Sequence, residues 1–358
     1  MLRIQCLFLA ALVAACSFSP SPADDQVDAG QPMLSDEEHE AAGPCRDEHL
    51  DEVVRIETAA DLIALDARRV TSIDTLIVAE WSWSTLDVRL PCLREADTIV
   101  LANAGVLRSG NFFTELADVH DLETWSLPAL RDWDSLFPAL VSASDLRIGG
   151  TGATEVRRDP ALILRSILVD GNPNLRRVEG LRLAPVSGAL SVADNPALTS
   201  WKGQAGHPIE VTQAVRVAGS PVLDEMDVLG ELVSVPAIAV QGVGLPELRI
   251  VAPPGAPRHH VVEVTECARM IALEIDAPGR VVVAENTDLR ELLFSMPSAA
   301  SIDVVDNGRL TSVRAPSLYA TRDGLTIVDN ERLDQCEAAA IGRRVTGPVE
   351  IGGNGPCE

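Results

Sequence analysis

One short motif recurs along the chain and limits what the chain can fold into. Its copies read VDGNPNL at 169–175, VADNPAL at 192–198, VVDNGRL at 304–310 and IVDNERL at 327–333. With the asparagine as a marker, apolar or β-branched residues lie five and three places before it, and an apolar residue lies three places after it. Such a repeat predicts a stack of similar structural units.

The marker positions can be followed through most of the chain at intervals of 19 to 25 residues. They are Glu80, Asn103, Leu127, Thr151, Asn172, Asn195, Ser220, Val243, Cys267, Asn286, Asn307, Asn330 and Asn354. A period in the twenties is typical of a solenoid with one short strand per coil. The sequence therefore predicts a mostly β chain: a right-handed single-stranded β-helix, or leucine-rich-repeat-like solenoid, of about 12–13 short coils with a parallel sheet.

The apolar residues before each marker predict the strands. Pairs two residues apart, such as Ile167 with Val169 and Val349 with Ile351, point to the same side of a strand, and we expect them to face inward. The residues between such pairs, including Ser191 and Arg216, are expected to face outward.

The marker itself is predicted to be a turn residue that points inward. Asp-Asn, Gly-Asn and Asp-Gly pairs accept unusual backbone angles, and stacked asparagine amides can satisfy buried backbone groups from coil to coil. Where the marker is Thr151, Ser220, Val243 or Cys267, we expect the ladder to be interrupted and the coil to be less regular. The predicted asparagine ladder consists of Asn103, Asn172, Asn195, Asn286, Asn307, Asn330 and Asn354.

The pattern of an asparagine followed three places later by leucine, as in Asn195 to Leu198, resembles the receptor L domain. That family is a single-stranded β-helix relative of leucine-rich repeats, found in growth-factor receptor ectodomains and in bacterial and fungal surface proteins. The resemblance covers most of 76–357 and implies a noncatalytic binder of proteins or glycans. The coil count is about twice that of one such domain, so the chain is either two tandem units with a seam near 251–260 or one long solenoid.

The first residues predict export and a lipid anchor. An apolar run at 6–13, too short to span a membrane as a helix, ends at Val13-Ala14-Ala15-Cys16, which resembles a bacterial lipobox. Residues 1–15 would then be the signal peptide and Cys16 the acylated first mature residue, with Ser17 indicating the outer membrane. An ordinary signal peptide, with Cys16 incidental, is the alternative.

The remaining segments follow from composition. Residues 16–44 contain no lysine or arginine and many acidic residues, prolines and serines, which predicts a disordered tether. Residues 45–75 are predicted to form an N-terminal cap and 76–358 the solenoid. We expect disulfides Cys45–Cys92 and Cys336–Cys357, one near each open end of the core, and we interpret Cys267 as a buried small hydrophobe.

Composition and motifs argue against several functions. The net charge of −24 disfavours nucleic acid as a partner. The sequence holds no GxSxG, complete HExxH, P-loop or Cys/His zinc spacing, so we expect no catalytic residues, metal or cofactor. The adjacent pair His259 and His260 is interpreted as part of a surface loop.

Two weaker binding hypotheses remain. A calcium ladder is less favoured than a turn-forming role for Asp170, Asp194, Asp306 and Asp329. Trp81 and Trp83 are candidates for a sugar-stacking face, but a core or capping role is favoured for them and for Trp125 and Trp133.

The sequence thus predicts a monomeric, noncatalytic outer-membrane lipoprotein that binds a protein or glycan through its solenoid, on either face of that membrane. The alternatives are a structural spacer in the envelope and a β-helix polysaccharide-active enzyme. Such an enzyme needs convergent carboxylates or basic residues on one outward strip. The predicted outward positions mix Ser, Arg, Asp, Ala and Thr without evident convergence.

Overall fold

The computed structural model describes residues 44–79, 90–105, 107, 112–203, 206–251 and 260–357. It is 50% strand and 9% helix, and its parallel sheets stack as a β-solenoid of about 12 turns. The predicted fold class is confirmed. The predicted signal peptide, Cys16, the tether up to residue 43, and Trp81 and Trp83 lie outside the described residues.

The described strands of the N-terminal half, in chain order, are β1 Arg46–Ile56, β2 Val70–Ala79, β3 Glu95–Ala102, β4 Asp118–Trp125, β5 Ser142–Gly149, β6 Glu155–Leu164, β7 Ser166–Asp170, β8 Arg177–Leu183, β9 Val186–Ser187, β10 Leu190–Ala193, β11 Ser200–Lys202, β12 Ile209–Val211 and β13 Val215–Ala218. Helix α1, Ala59–Arg68, lies between β1 and β2, and a 3-10 turn spans Asp134–Leu136.

The described strands of the C-terminal half are β14 Glu225–Met226, β15 Leu232–Ser234, β16 Ala237–Gln241, β17 Glu247–Val251, β18 Val261–Thr265, β19 Ala272–Asp276, β20 Arg280–Ala284, β21 Glu291–Phe294, β22 Ser298–Val305, β23 Ser312–Arg314, β24 Ala320–Val328 and β25 Val349–Gly352. A second 3-10 turn spans Asp227–Glu231, and helix α2, Gln335–Gly342, lies between β24 and β25.

One long parallel sheet organises the described residues. It runs in the order β1-β2-β3-β4-β5-β7-β10-β13-β16-β18-β20-β22-β24-β25, so that each coil adds one strand to what we call the main sheet. Many coils add a further strand on another side, forming sheets β14-β11-β8-β6, β15-β12-β9 and β17-β19-β21-β23. Where these side sheets run, each coil therefore has two or three strands, and the expectation of one short strand per coil is wrong there.

The alternation of apolar and polar residues explains the main sheet. Ile167 pairs with Leu190 and Leu190 with Val215, and all three are at most 1% exposed. Ser191 and Arg216 lie on the outer side, partly exposed, as predicted. In the last strand the predicted inward residue Val349 is instead 41% exposed, because β25 ends the sheet and has a neighbouring strand on one side alone.

A left-handed residue ends the main-sheet strand in each coil from β3 to β25. These residues have φ between 53° and 63° and are Asn103, Ser126, Gly150, Gly171, Asp194, Gly219, Gly242, Glu266, Glu285, Asp306, Asp329 and Gly353. Glycine, asparagine and aspartate tolerate this conformation best. The inward marker follows immediately, and in most coils its carbonyl accepts a hydrogen bond from the backbone N–H three places later, as in Leu198 N to Asn195 O, 3.0 Å.

This turn corrects the prediction for Asn103. Its φ is 55° and its side chain is exposed, so it is the left-handed residue of its turn and not an inward rung. Ala104, 1% exposed, takes the inward position, and Leu107 N donates to Ala104 O over 3.2 Å. Asparagine suits either position of the turn, and for that reason the sequence pattern was misaligned by one residue here.

The coils without an asparagine marker keep the register of the main sheet. β13 pairs with β16, and β16 with β18, residue for residue through the coils of Ser220, Val243 and Cys267. The expectation that these coils are less regular is therefore wrong for the main sheet, because the left-handed residue and the inward apolar pairs are retained. The same pairing carries the sheet across the suggested seam, of which residues 252–259 are not described.

Both ends of the described solenoid are closed by a helix and a disulfide. Thr58 and Asp61 form a capping box at the start of α1, whose Leu62 and Leu65 are buried in the core. The predicted disulfides Cys45–Cys92 and Cys336–Cys357 are both present. The segment predicted as a cap contributes β1 and much of β2 to the main sheet, so the sheet begins before residue 76.

Candidate binding face on the outer side of the main sheet

The asparagine markers form hydrogen-bonded columns inside the solenoid. The Asn307 Oδ1 accepts from the backbone N–H of Asn286 over 3.2 Å, and its Nδ2 donates to the Val283 and Val305 carbonyls, each over 3.0 Å. The same pattern recurs at Asn195, Asn286 and Asn330 in whole or in part, and Asn354 ends the column. These buried amides satisfy turn backbone groups.

At three other markers a threonine, serine or cysteine makes hydrogen bonds similar to those of the asparagines. Thr151 donates from its N–H and hydroxyl to the Asn172 Oδ1, over 2.9 and 2.8 Å, and the Ser220 hydroxyl donates to the Ala218 carbonyl over 3.3 Å. The Cys267 thiol donates to the Thr265 carbonyl over 3.3 Å, a carbonyl equivalent to the one that Asn307 uses in its own coil. Burial raises the pKa of this free thiol, which keeps it protonated and able to donate.

The predicted turn aspartates do not form a metal cluster. Asp194, Asp306 and Asp329 are exposed left-handed turn residues. Among the described residues, the groups of metal-ligating side chains within 4.8 Å of one another do not include any of the four aspartates proposed for calcium. His260 is exposed, and His259 lies outside the described part of the chain.

The two described tryptophans of the first coils have different roles. Trp133 is fully buried, as predicted for a core residue, and its Nε1 donates to the Thr124 hydroxyl over 3.0 Å. Trp125 is half-buried on the outer side of β4, so the core interpretation is wrong for it. Buried Thr124 and outward Trp125 alternate along β4, and Thr124 also donates to the Arg147 carbonyl on β5 over 3.3 Å.

The indole of Trp125 lies against Gly149 on the neighbouring strand. The two residues are paired in register, and a Cβ atom at Gly149 would lie 1.9 Å from the indole Cζ3. Any side chain at Gly149 would therefore displace the ring. The guanidinium carbon of Arg147 lies 4.4 Å from the centre of the indole, within the range of a cation–π contact.

Carboxylates surround this pair on the same side of the sheet. Glu123 pairs with Arg147, Asp121 pairs with Asp145, and Asp170 pairs with Gly149 on the next strand. We call this set, Asp121, Glu123, Trp125, Asp145, Arg147, Gly149 and Asp170, the Trp125 face. Its members come from three adjacent strands of a rigid sheet, which holds their spacing without a loop.

The two facing aspartates differ in their electrostatic surroundings. Burial raises the pKa of Asp121, which Asp145 raises further through its charge and a hydrogen bond. Burial also acts to raise the pKa of Asp145, but hydrogen bonds from Ser166 and Arg165 outweigh it and leave that pKa lowered. The Arg165 Nη2 lies 2.8 Å from the Asp145 Oδ2. Asp145 therefore ionises more readily than Asp121.

Asp170 is a partly buried carboxylate of the Trp125 face. Its pKa is raised by burial and then by the charge of Asp194, while Arg216 and Arg147 act in the opposite direction. The outer face thus does gather charged residues on β4, β5 and β7, contrary to the expectation of no convergence. Aligning coils on their markers places Glu123 beside Arg147 and Trp125 beside Gly149, which is the signal that finds this face in the sequence.

Comparison of the chain with models of protein families, with curated proteins and with solved structures finds no match. Within the described residues, helices α1 and α2 are both too short to cross a membrane.

Proposed function

We propose that the protein is a noncatalytic, lipid-anchored envelope protein whose solenoid presents a binding surface, and that its partner docks on the Trp125 face. The observation that carries this proposal is the indole of Trp125, seated on Gly149 and in contact with Arg147 at 4.4 Å. Tryptophan and arginine are the residue types enriched at binding hot spots, and a sheet presents them with little loss of conformational entropy on binding.

The negative charge near the indole favours a partner with positive charge. Glu123 and Asp170 lie on the same side of the sheet as the indole, and the chain as a whole carries −24. Complementary charge speeds association and like charge opposes it. We infer that a protein partner with basic side chains fits this face best, whereas an anionic glycan is repelled.

The paired carboxylates do not favour the enzyme alternative. A glycosidase holds its two carboxyl groups about 5 Å or more apart, with the sugar between them. Asp121 and Asp145 share a hydrogen bond, which leaves no space for a sugar between the carboxyl groups. A reducing-end assay on envelope polysaccharides with purified wild-type protein tests this point, and product formation that Asp121→Asn abolishes would overturn the noncatalytic proposal.

Site-specific photo-crosslinking in cells that naturally make the protein tests the binding face. A crosslinker at Glu123 is compared with one at Thr326, which occupies the same outward row of the main sheet far along the solenoid. We expect a discrete protein adduct at Glu123 and not at Thr326. Equal labelling at the two positions, or an adduct at Thr326 alone, contradicts the proposed face.

Two variants then test whether binding needs the indole while the fold stays intact. Trp125→Ala removes the ring, and Gly149→Ala displaces it without removing it. Each should weaken the captured interaction at least about tenfold, as expected for a hot spot, while circular dichroism remains that of the wild type. Thr326→Ala is the matched control and should bind normally. Retained binding in both face variants would exclude the Trp125 face.

The anchor has its own test. Cys16→Ser should yield an unlipidated precursor that leaves the detergent phase, because lipid attachment needs the thiol. An N-terminus other than residue 16 in the mature wild-type protein would show that Cys16 is incidental to an ordinary signal peptide.

A further inference from the structure

We propose that His49, Asp51 and Asp74 bind a divalent transition-metal ion of the zinc class at the N-terminal end of the main sheet. The proposal is independent of the Trp125 face. Its ligand atoms, one from each side chain, all lie within 4.8 Å of one another.

The distances around the imidazole fit a coordination sphere. The Asp51 Oδ1 lies 2.9 Å and the Asp74 Oδ1 3.0 Å from the His49 Nε2. Two ligand atoms that each bind a tetrahedral ion at about 2.1 Å lie about 3.4 Å apart, which is about 0.4 Å more than these distances. An ion can therefore enter with small side-chain movements, and the side chains of His49 and Asp51, 46% and 87% exposed, leave the approach open.

The strands hold the cluster in place. His49 pairs with Ser72 across β1 and β2, and the pairing of these strands is irregular on both sides of the segment His49–Leu50. Bulges of this kind re-aim side chains. Two residues further along each strand, Asp51 and Asp74 lie on the same outer side as His49, since buried Leu50 and Ile73 separate them from the first pair.

Ser72 orients the imidazole. Its hydroxyl lies 2.8 Å from the His49 Nδ1, which leaves Nε2 directed at the two carboxylates. Histidines that bind metals usually hydrogen-bond through their other ring nitrogen in this way. When the imidazole is neutral, the two carboxylates carry −2, which a divalent cation balances.

A second cluster of the same composition serves as a comparison. His120, Asp121 and Asp145 also lie within 4.8 Å of one another. There, however, the Arg165 guanidinium lies 2.8 Å from Asp145 and already neutralises it, and Asp121 shares a hydrogen bond with the same carboxylate. At the N-terminal end, Arg68 contacts Glu52 at 2.9 Å and Arg69 contacts Asp66 at 3.5 Å, so these two arginines pair with carboxylates outside the cluster.

The test is a Zn²⁺ titration of the untagged chain against a chromophoric chelator, in excess Mg²⁺ to suppress weak binding to the acidic surface. Wild-type protein should bind one competitive equivalent of Zn²⁺, and His49→Ala should lose it. His120→Ala, the matched control, should keep it. Ser72→Ala should weaken binding by about 10- to 100-fold without removing a ligand.

Thermal unfolding supplies a second readout. Zn²⁺ should raise the Tm of the wild type and of His120→Ala but not of His49→Ala, because an ion that binds the folded state alone stabilises it. The metal-free Tm of His49→Ala should match that of the wild type, since the side chain is exposed. No competitive equivalent in the wild type, an unchanged equivalent in His49→Ala, or a loss confined to His120→Ala would each overturn the site.

Discussion

The first coils of the solenoid and the later ones fill the same inward turn position with different chemistry. In the first coils the position holds Ala104 and Leu127, and aromatic side chains pack nearby: Phe113 stacks on Phe137 with ring centres 5.3 Å apart. From Thr151 to Asn354 the position is polar in all coils except that of Val243. Hydrocarbon fills this position in the first region, and side chains that form hydrogen bonds, most of them asparagine amides, fill it in the other.

The difference separates the requirements of the turn from those of the interior. Both regions have a left-handed residue and the same backbone bond, as in Leu130 N to Leu127 O, 3.1 Å, and Leu310 N to Asn307 O, 2.9 Å. The turn therefore does not need an asparagine. The asparagine instead satisfies buried backbone groups of its own coil and of the preceding one, and it does so only in the later region of the described residues.

The largest effect is expected in the aromatic region. Trp133→Ala removes a fully buried ring and its hydrogen bond to Thr124, and it should lower the free energy of unfolding by about 4 kcal/mol. Chemical denaturation of the chain from residue 44 onward measures this. Trp133→Phe keeps most of the volume and should cost less than half as much. Equal losses for both variants would mean that the hydrogen bond, and not the packing, dominates this region.

In the asparagine region, replacing a buried amide by an apolar side chain of similar size should lower the free energy of unfolding. Asn307→Leu removes the acceptor of the Asn286 backbone N–H and side-chain amide, and the Nδ2 donor to the Val283 and Val305 carbonyls, of which the second still accepts from the Glu285 N–H. The expected cost is about 3 kcal/mol. Outward Arg216→Ala, the control, should cost less than about 0.5 kcal/mol. An outward change as damaging as the asparagine change would refute the division between inward and outward positions.

A buried ion pair in the first coils should make that region sensitive to pH. Burial raises the pKa of Asp134 to about 6, partly opposed by the Arg157 N–H and by Arg158. The folded pKa lies above the unfolded value, so charging Asp134 opposes folding, and stability should increase as pH falls from above 6 towards 4, by about 2 kcal/mol.

Asp134→Asn provides the measurement of that contribution. Unfolding of the wild type and the variant is followed at several pH values, and their difference in stability should change across this window. Asn307→Leu should show no such change relative to the wild type, because the asparagine column does not titrate. A pH-independent difference between wild type and Asp134→Asn would show that Asp134 is charged throughout.

The smallest effect should come from completing the asparagine column. Cys267→Asn places an amide where the thiol now donates to the Thr265 carbonyl, next to the Asn286 Oδ1 that accepts from the backbone N–H of residue 267. We expect a gain of no more than about 1 kcal/mol, and a loss of about 1 kcal/mol for Cys267→Val. Calorimetric Tm values that place the valine variant above the asparagine variant would contradict a polar role for this position.

The repeat alone predicts most of the fold, because strands with period two and a turn signal once per coil are local properties. The inward pairs, the disulfides and most asparagine markers follow from it. Asn103 was misaligned because asparagine is equally suited to the left-handed position. The exposure of Val349 depends on the end of the sheet, which the pattern of a single coil does not encode.

The candidate binding face was harder to predict from the sequence. Trp125 and Gly149 are 24 positions apart, and their contact exists only because β4 and β5 pair in register. The outward rule identified the positions, but their neighbours across coils become visible only when successive coils are aligned on their markers. The same holds for His49 and Asp74, which an irregular pairing of β1 with β2 brings together.

The constancy of the main-sheet register has a consequence for how such a chain can change length. Markers are 19 to 25 residues apart, yet Leu190, Val215 and Ile238 stay in line across three coils. Residues can therefore be gained or lost on the far side of a coil without shifting the sheet. Each coil also offers its successor the same row of backbone groups that it received, so that duplicating one coil in frame creates no new kind of interface and lengthens the protein by a single layer.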